Sequence, residues 1–209
     1  MMEKLLIFGH SLIHWLDDFQ KAHMNNLELN SCEFEINYVG IRGGQFKWNE
    51  KMDKKYQEKS LFSYLTEAVN DFKPTMVFLQ LGGNDLDVKF PDSDQVVTAI
   101  FSFANYLIFG MDVQTVVIGH VFRRLKPRYM HYNATIEAVN NTLTEKASSS
   151  NNIYIMPNKG FKVDAEAKYY RDGIHLSHSG NVCFANNIRR KEVFARDHSY
   201  AVCKYYFVL

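Results

Sequence analysis

Leu5-Leu6-Ile7-Phe8-Gly9-His10-Ser11-Leu12 begins with four large apolar residues in a row and ends in a turn that runs into IHWLDDF, residues 13–19. An unbroken apolar run of this length suits a strand buried on both faces better than one with a wet face, which would alternate. Leu12, Leu16 and Phe19 then fall at helical spacing. The stretch therefore reads as strand, tight turn, helix, with a lone serine at the mouth of the strand. A strand covered on both faces belongs to a parallel sheet, whose return connections are helices.

The rest of the chain repeats that unit. Candidate strands are Leu5–Phe8, Phe34–Val39, Met76–Leu81, Thr115–Ile118 and Ile153–Ile155. Candidate helices lie between and after them, near Leu12–Met24, Lys54–Phe72, Asp94–Phe109, Tyr129–Ser148 and Ser179–Phe194. Lys73-Pro74 ends the second helix, because a residue before proline is pushed out of the helical region. Ser148 to Asn152, all serine and asparagine, breaks the fourth. The βαβα order predicts an α/β fold with a parallel sheet and helices on both faces.

Composition narrows the function classes. The chain has 209 residues, 46% of them hydrophobic and 22% charged, which fits one well-packed soluble domain. A formal net charge of +1 gives no strong nucleic-acid signal, and Arg189-Arg190-Lys191 reads as a solvated helix end. Cys32, Cys183 and Cys203 form neither a disulfide framework nor a zinc spacing. The apolar run after MMEK is too short for a signal peptide, and no run spans a membrane, so a cytoplasmic or intracellular protein is expected. Two sequons, Asn133-Ala134-Thr135 and Asn140-Asn141-Thr142, fall in a predicted helix and read as chance matches. Residues 197–209, DHSYAVCKYYFVL, do not complete another βα unit: an edge strand, an interface segment and a tail all remain open.

In open parallel sheets, ligands bind beyond the carboxyl ends of the strands. The residues that follow each strand can therefore be read together. They are Gly9-His10-Ser11, Gly40-Ile41-Arg42-Gly43-Gly44, Gly82-Gly83-Asn84-Asp85, Gly119-His120 with Arg123-Arg124, and, after a long loop, Asp172-Gly173-Ile174-His175. Singly, each has a structural explanation: Ser11 as a helix cap, the glycines as turns, Asn84 and Asp85 as loop caps. As a set, they supply acyl transfer. Ser11 is a nucleophile if a base removes its proton, His175 is that base, and Asp172, three residues earlier, orients the imidazole. The backbone N–H groups of Ser11 and Gly43 and the side-chain amide of Asn84 are candidate oxyanion donors. His10, Arg42, His120, His178 and Arg123 with its neighbour Arg124 are candidate pocket residues, the arginines favouring an anionic or polar substrate.

These blocks resemble the SGNH hydrolases, also called GDSL-type esterases and lipases. The matches are Ser11 in FGHSL, Gly43 in GIRGG, Asn84 in LGGND, and Asp172 and His175 in DGIHLS, in the family's order from Leu5 to about Phe194. The resemblance implies a flavodoxin-like three-layer α/β/α sandwich with a five-stranded sheet, spanning residues 1–196. It implies a serine esterase acting without metal or organic cofactor on a small ester or an acylated polymer. VVIGHVFRRLKPRYMHYNATIEAVNNTL (residues 116–143), with DGIHLSHSGN (residues 172–181), further resembles esterase-like domains encoded near or within animal retroelements. The chain departs from the family at one place: His10 stands where GDS has aspartate. That departure motivates an alternative expectation, a catalytically weak or inactive binding module on the same fold.

Overall fold

The computed structural model describes residues 2–46, 59–162 and 165–191. Five parallel strands form one sheet: β1 (Glu3–Gly9), β2 (Phe34–Gly40), β3 (Met76–Gln80), β4 (Thr115–Gly119) and β5 (Ile153–Met156), in the order β2-β1-β3-β4-β5. The order reverses between β1 and β3, so the chain winds in one direction from β1 to β2 and in the other from β3 to β5. That reversal opens a crevice at the carboxyl ends of β1 and β3, where the flavodoxin-like winding places ligands.

Period-two alternation along the strands sorts their side chains onto two faces. Leu6, Phe8, Val77, Leu79, Val116 and Ile118 share one core with residues from α2 (Leu61–Phe72), α4 (Ser93–Gly110) and α5 (Tyr132–Ala147). Leu5, Ile7, Met76, Phe78 and Val117 share the other with Ile13, Leu16 and Phe19 of α1 (Ser11–His23). Phe184, Ala185 and Ile188 of the last helix, α6 (residues 178–191), complete that second core. Every residue of β3 and β4 is buried, as unbroken apolar runs require. The sheet with a helical layer on each face matches the predicted α/β/α sandwich.

Local chemistry sets the helix ends. The Ser60 hydroxyl caps α2 by accepting from Ser63 N–H, and Asp92 caps α4 by accepting from Gln95 N–H. α2 stops at Lys73, in the left-handed region at φ 52°, ahead of Pro74. Ser177 Oγ receives Gly180 N–H at the start of α6. A one-turn helix, α3 (Gly83–Leu86), was not predicted; it converts GGND from a loop into a rigid ledge after β3. Residues 54–58 of the expected second helix, 192–194 of the expected last helix and the whole 197–209 segment lie outside the described residues.

Candidate active site

Each strand delivers its sequel to one edge of the sheet. After β1, His10 occupies the N-cap position of α1 without a side-chain capping bond, and Ser11 is the first helical residue. Ser11 is thus not the cap that its type alone would suggest. Its Oγ instead lies 2.9 Å from His175 Nε2. The imidazole's other nitrogen, Nδ1, is 2.6 Å from Asp172 Oδ2. With one ring nitrogen on a carboxylate, the proton is held at Nδ1 and Nε2 is left to accept from the hydroxyl.

The DGIH turn presets this geometry. Asp172 Oδ1 accepts the backbone N–H groups of Ile174 and His175, both at 2.9 Å, so its carboxylate is fixed while Oδ2 faces the ring. Gly173 takes the turn's left-handed corner at φ 68°. Partial burial pushes the Asp172 carboxyl up, but hydrogen bonds from the imidazole and the two amides outweigh it and hold the group below the ordinary carboxylate range. Trp15, one turn along α1 from Ser11, sets its ring edge-on to His175 at 6.1 Å between centroids. The Arg42 guanidinium lies over the same indole at 5.6 Å.

The segment after β2 and the ledge after β3 are joined to each other. Gly43, at φ 71°, turns the chain after β2. Asn84 Nδ2 donates to the neighbouring Gly44 carbonyl at 3.0 Å, and Gln45 Nε2 donates back to the Asn84 carbonyl. Phe46 N–H donates to Asp85 Oδ1 at 2.8 Å. The segment carrying Gly43 and the ledge carrying Asn84 are therefore clasped by three hydrogen bonds. Burial pushes the Asp85 carboxyl up to about 6, against the lowering effect of the amide bonds from Phe46 and from Asp85 itself. Its Oδ2 is buried without a hydrogen-bond partner.

A cavity of about 30 Å³ sits beside the serine, with His10, Ser11, Leu12, Asn84, Arg124 and Ile174 among its walls. His10 is buried, its side chain makes no hydrogen bond to Ser11, and its Nε2 has no hydrogen-bond partner. Burial first, and the Arg124 charge second, lower its pKa to about 3, so this imidazole is neutral at physiological pH.

The other candidate pocket residues are placed differently. His120 turns its ring to α5, with Nε2 3.0 Å from Thr144 Oγ1. Arg123 contributes its carbonyl, which accepts from Tyr169 Oη, and its side chain is not part of the cavity wall. His178 packs its ring on Phe19 and His23. The sequence reading missed Asp87 and the separate part taken by Arg124, since nothing in FRRLK distinguishes the inward arginine from its neighbour. The two sequon asparagines have structural work: Asn133 Nδ2 donates to the Arg124 carbonyl, and Asn140 Nδ2 to that of Val121.

No protein-family model and no curated protein matches the chain. Solved structures do. A GDSL-like lipase from Bacteroides thetaiotaomicron superposes at TM-score 0.65 with 17% identity, over 90% of this chain and 87% of that one. The lipase/acylhydrolase from Enterococcus faecalis gives 0.66 with 15% identity, over 91% and 95%. A carbohydrate esterase of family 3 from Talaromyces cellulolyticus gives 0.63 with 16% identity, over 94% and 99%. The chain has the fold of the GDSL-type hydrolases. Among the described residues, no helix is long and apolar enough to cross a membrane.

Proposed function

We propose that this chain is a serine esterase of the SGNH type. The observation that carries the reading is the unbroken hydrogen-bonded line Ser11–His175–Asp172, at 2.9 and 2.6 Å, at the carboxyl edge of the sheet. Ser11 Oγ attacks the ester carbonyl as His175 Nε2 takes its proton. The C–O π pair moves onto the carbonyl oxygen, which becomes the oxyanion. Asp172 holds the imidazolium. The N–H groups of Ser11 and Gly43 and the Asn84 amide receive the oxyanion, and the first two residues of α1 add the favourable field of a helix N-terminus. His175 then gives its proton to the leaving alcohol. A water molecule, activated by the same imidazole, attacks the acyl-serine and restores the hydroxyl.

The acyl part we propose is short, acetyl in the first place, seated in the small cavity beside Ser11. The alcohol part of the substrate is a small molecule or an acylated polymer in this reading. The inactive-module alternative rests on His10, yet the His10 side chain neither hydrogen-bonds Ser11 nor interrupts its contact with His175. Turnover of p-nitrophenyl acetate by wild type, Ser11→Ala and His175→Ala tests the proposal. Wild-type hydrolysis well above both variants supports it, and equal rates for all three reject it.

A further inference from the structure

The two arginines after β4 are adjacent in sequence and unlike in place. Arg124 is the inner one. Its Nη1 donates to Asp87 Oδ2 at 2.5 Å and its Nη2 to Asn84 Oδ1 at 2.9 Å, and its guanidinium lies over the Tyr132 ring at 4.9 Å. The side chains of Arg124 and Asp87 are only 12% and 4% exposed. Asp87 is fully engaged: Oδ2 also accepts Arg128 N–H and Oδ1 accepts Tyr129 N–H, each at 3.1 Å. The Arg124 backbone is pinned as well, because Asn133 accepts its N–H at 3.0 Å and donates to its carbonyl at 2.8 Å. This arginine is held at both ends of its side chain.

What it holds in turn is an amide whose two ends differ chemically and hardly at all in shape. A carboxamide turned over by 180° fills the same space with its acceptor and donors exchanged. An oxyanion needs the N–H end. With Asn84 as it stands, Oδ1 accepts from Arg124 and one Nδ2 hydrogen goes to the Gly44 carbonyl, leaving the second hydrogen available. In the reverse orientation, Nδ2 would face a guanidinium that can only donate, and Oδ1 would face a carbonyl that can only accept. Both contacts would repel. Withdrawal of electron density through Oδ1 also makes the remaining N–H a stronger donor.

We infer that Arg124, anchored by Asp87, is the positioning residue that fixes the Asn84 amide with its N–H toward the oxyanion. The inference rests on the esterase reading and adds a residue to it. Arg124 does not touch the reacting atoms and acts through Asn84.

The test is a double-mutant cycle on p-nitrophenyl acetate with Arg124→Lys, Asn84→Ala and the pair, with Ser11→Ala as blank. Lysine keeps the charge beside Asp87 but lacks the fork that reaches Asp87 and Asn84 together. Arg124→Lys is expected to lower kcat roughly 10-fold or more while KM changes less than about 2-fold, as for an interaction made in the transition state. In the Asn84→Ala background, the same change should cost less than about 2-fold. Asp87→Asn, which loosens the anchor, should show the same background dependence and serves if Arg124→Lys does not fold. Equal losses in both backgrounds, or no loss of kcat, overturn the inference while leaving the esterase reading intact. A wild type no faster than Ser11→Ala overturns both.

Discussion

His175 Nε2 lies 2.9 Å from Ser11 Oγ although 164 residues separate the two in the chain. The parallel sheet closes that distance: β1 presents Ser11 at its carboxyl end, and the loop leading into α6 returns His175 to the same edge. Neither residue depends on the other for its place, since Ser11 is set by the start of α1 and His175 by the Asp172 turn. A site assembled from separately rigid parts is preorganised, which is what electrostatic catalysis demands.

Replacement of Asp172 by asparagine is expected to separate geometry from tautomer. An amide can keep both backbone N–H bonds through its one oxygen but cannot stabilise an imidazolium. We expect kcat for p-nitrophenyl acetate to fall roughly 10²–10⁴-fold with the fold retained. Steady-state kinetics with a circular-dichroism melt check this. Undiminished kcat would remove Asp172 from the catalytic group.

His10 should make the fold acid-labile. Its folded pKa, about 3, lies below the ordinary 6.5, so the unfolded chain takes up a proton that the folded one refuses. Stability from this group is whole above 6.5 and is lost as the pH falls toward 3. His10→Gln has no such proton to gain. The Tm of wild type relative to His10→Gln should therefore drop between about pH 7.5 and pH 4.5. A constant difference would show that His10 is not the group responsible.

Asp85 has the opposite sign. Its folded pKa, about 6, lies above the ordinary 3.8, so stability is lost as the pH rises through that interval and stays reduced above it. Asp85→Asn can keep the bond from Phe46 N–H without the buried charge. It should stabilise the fold at about pH 8, by as much as about 3 kcal/mol, and bring no gain below about pH 4. Denaturant melts at the two pH values decide it, and a pH-independent effect would contradict it.

Gly40 is required by the approach of α1 to β2. A Cβ built there would stand 2.1 Å from His14 N and 2.5 Å from His14 Cα, backbone atoms that cannot yield unless the helix carrying Ser11 moves. Gly40→Ala should cost about 3 kcal/mol or more and lower kcat as Ser11 shifts. At Gly83 the nearest atom, Tyr132 Oη, is an ordinary 3.4 Å away, so Gly83→Ala should change stability by less than about 1 kcal/mol. Equal effects would contradict the packing account.

Much of this was legible in the sequence for a simple reason. Buried parallel strands such as LLIF and MVFL must be apolar throughout, and in a doubly wound sheet whatever follows them collects at one edge. Asp172 and His175 were legible because a three-residue spacing lets one turn close the contact. The Arg124–Asn84–Asp87 arrangement was not. Which of two neighbouring arginines faces inward depends on the path of the loop after β4, and α5 sets that path through Asn133, nine residues beyond Arg124, and Asn140, nineteen beyond Val121. His120 read as a pocket residue for the same reason: its position at a strand end is legible, but the direction of its ring toward Thr144 is tertiary.

The central claim is that Ser11 is an activated nucleophile. Incubation with a fluorophosphonate probe, followed by digestion and mass mapping, tests it directly. The account predicts one labelled site, Ser11, with labelling abolished in Ser11→Ala and strongly slowed in His175→Ala. Failure of the folded wild-type protein to label at Ser11, or labelling that is indifferent to the loss of His175, would contradict it.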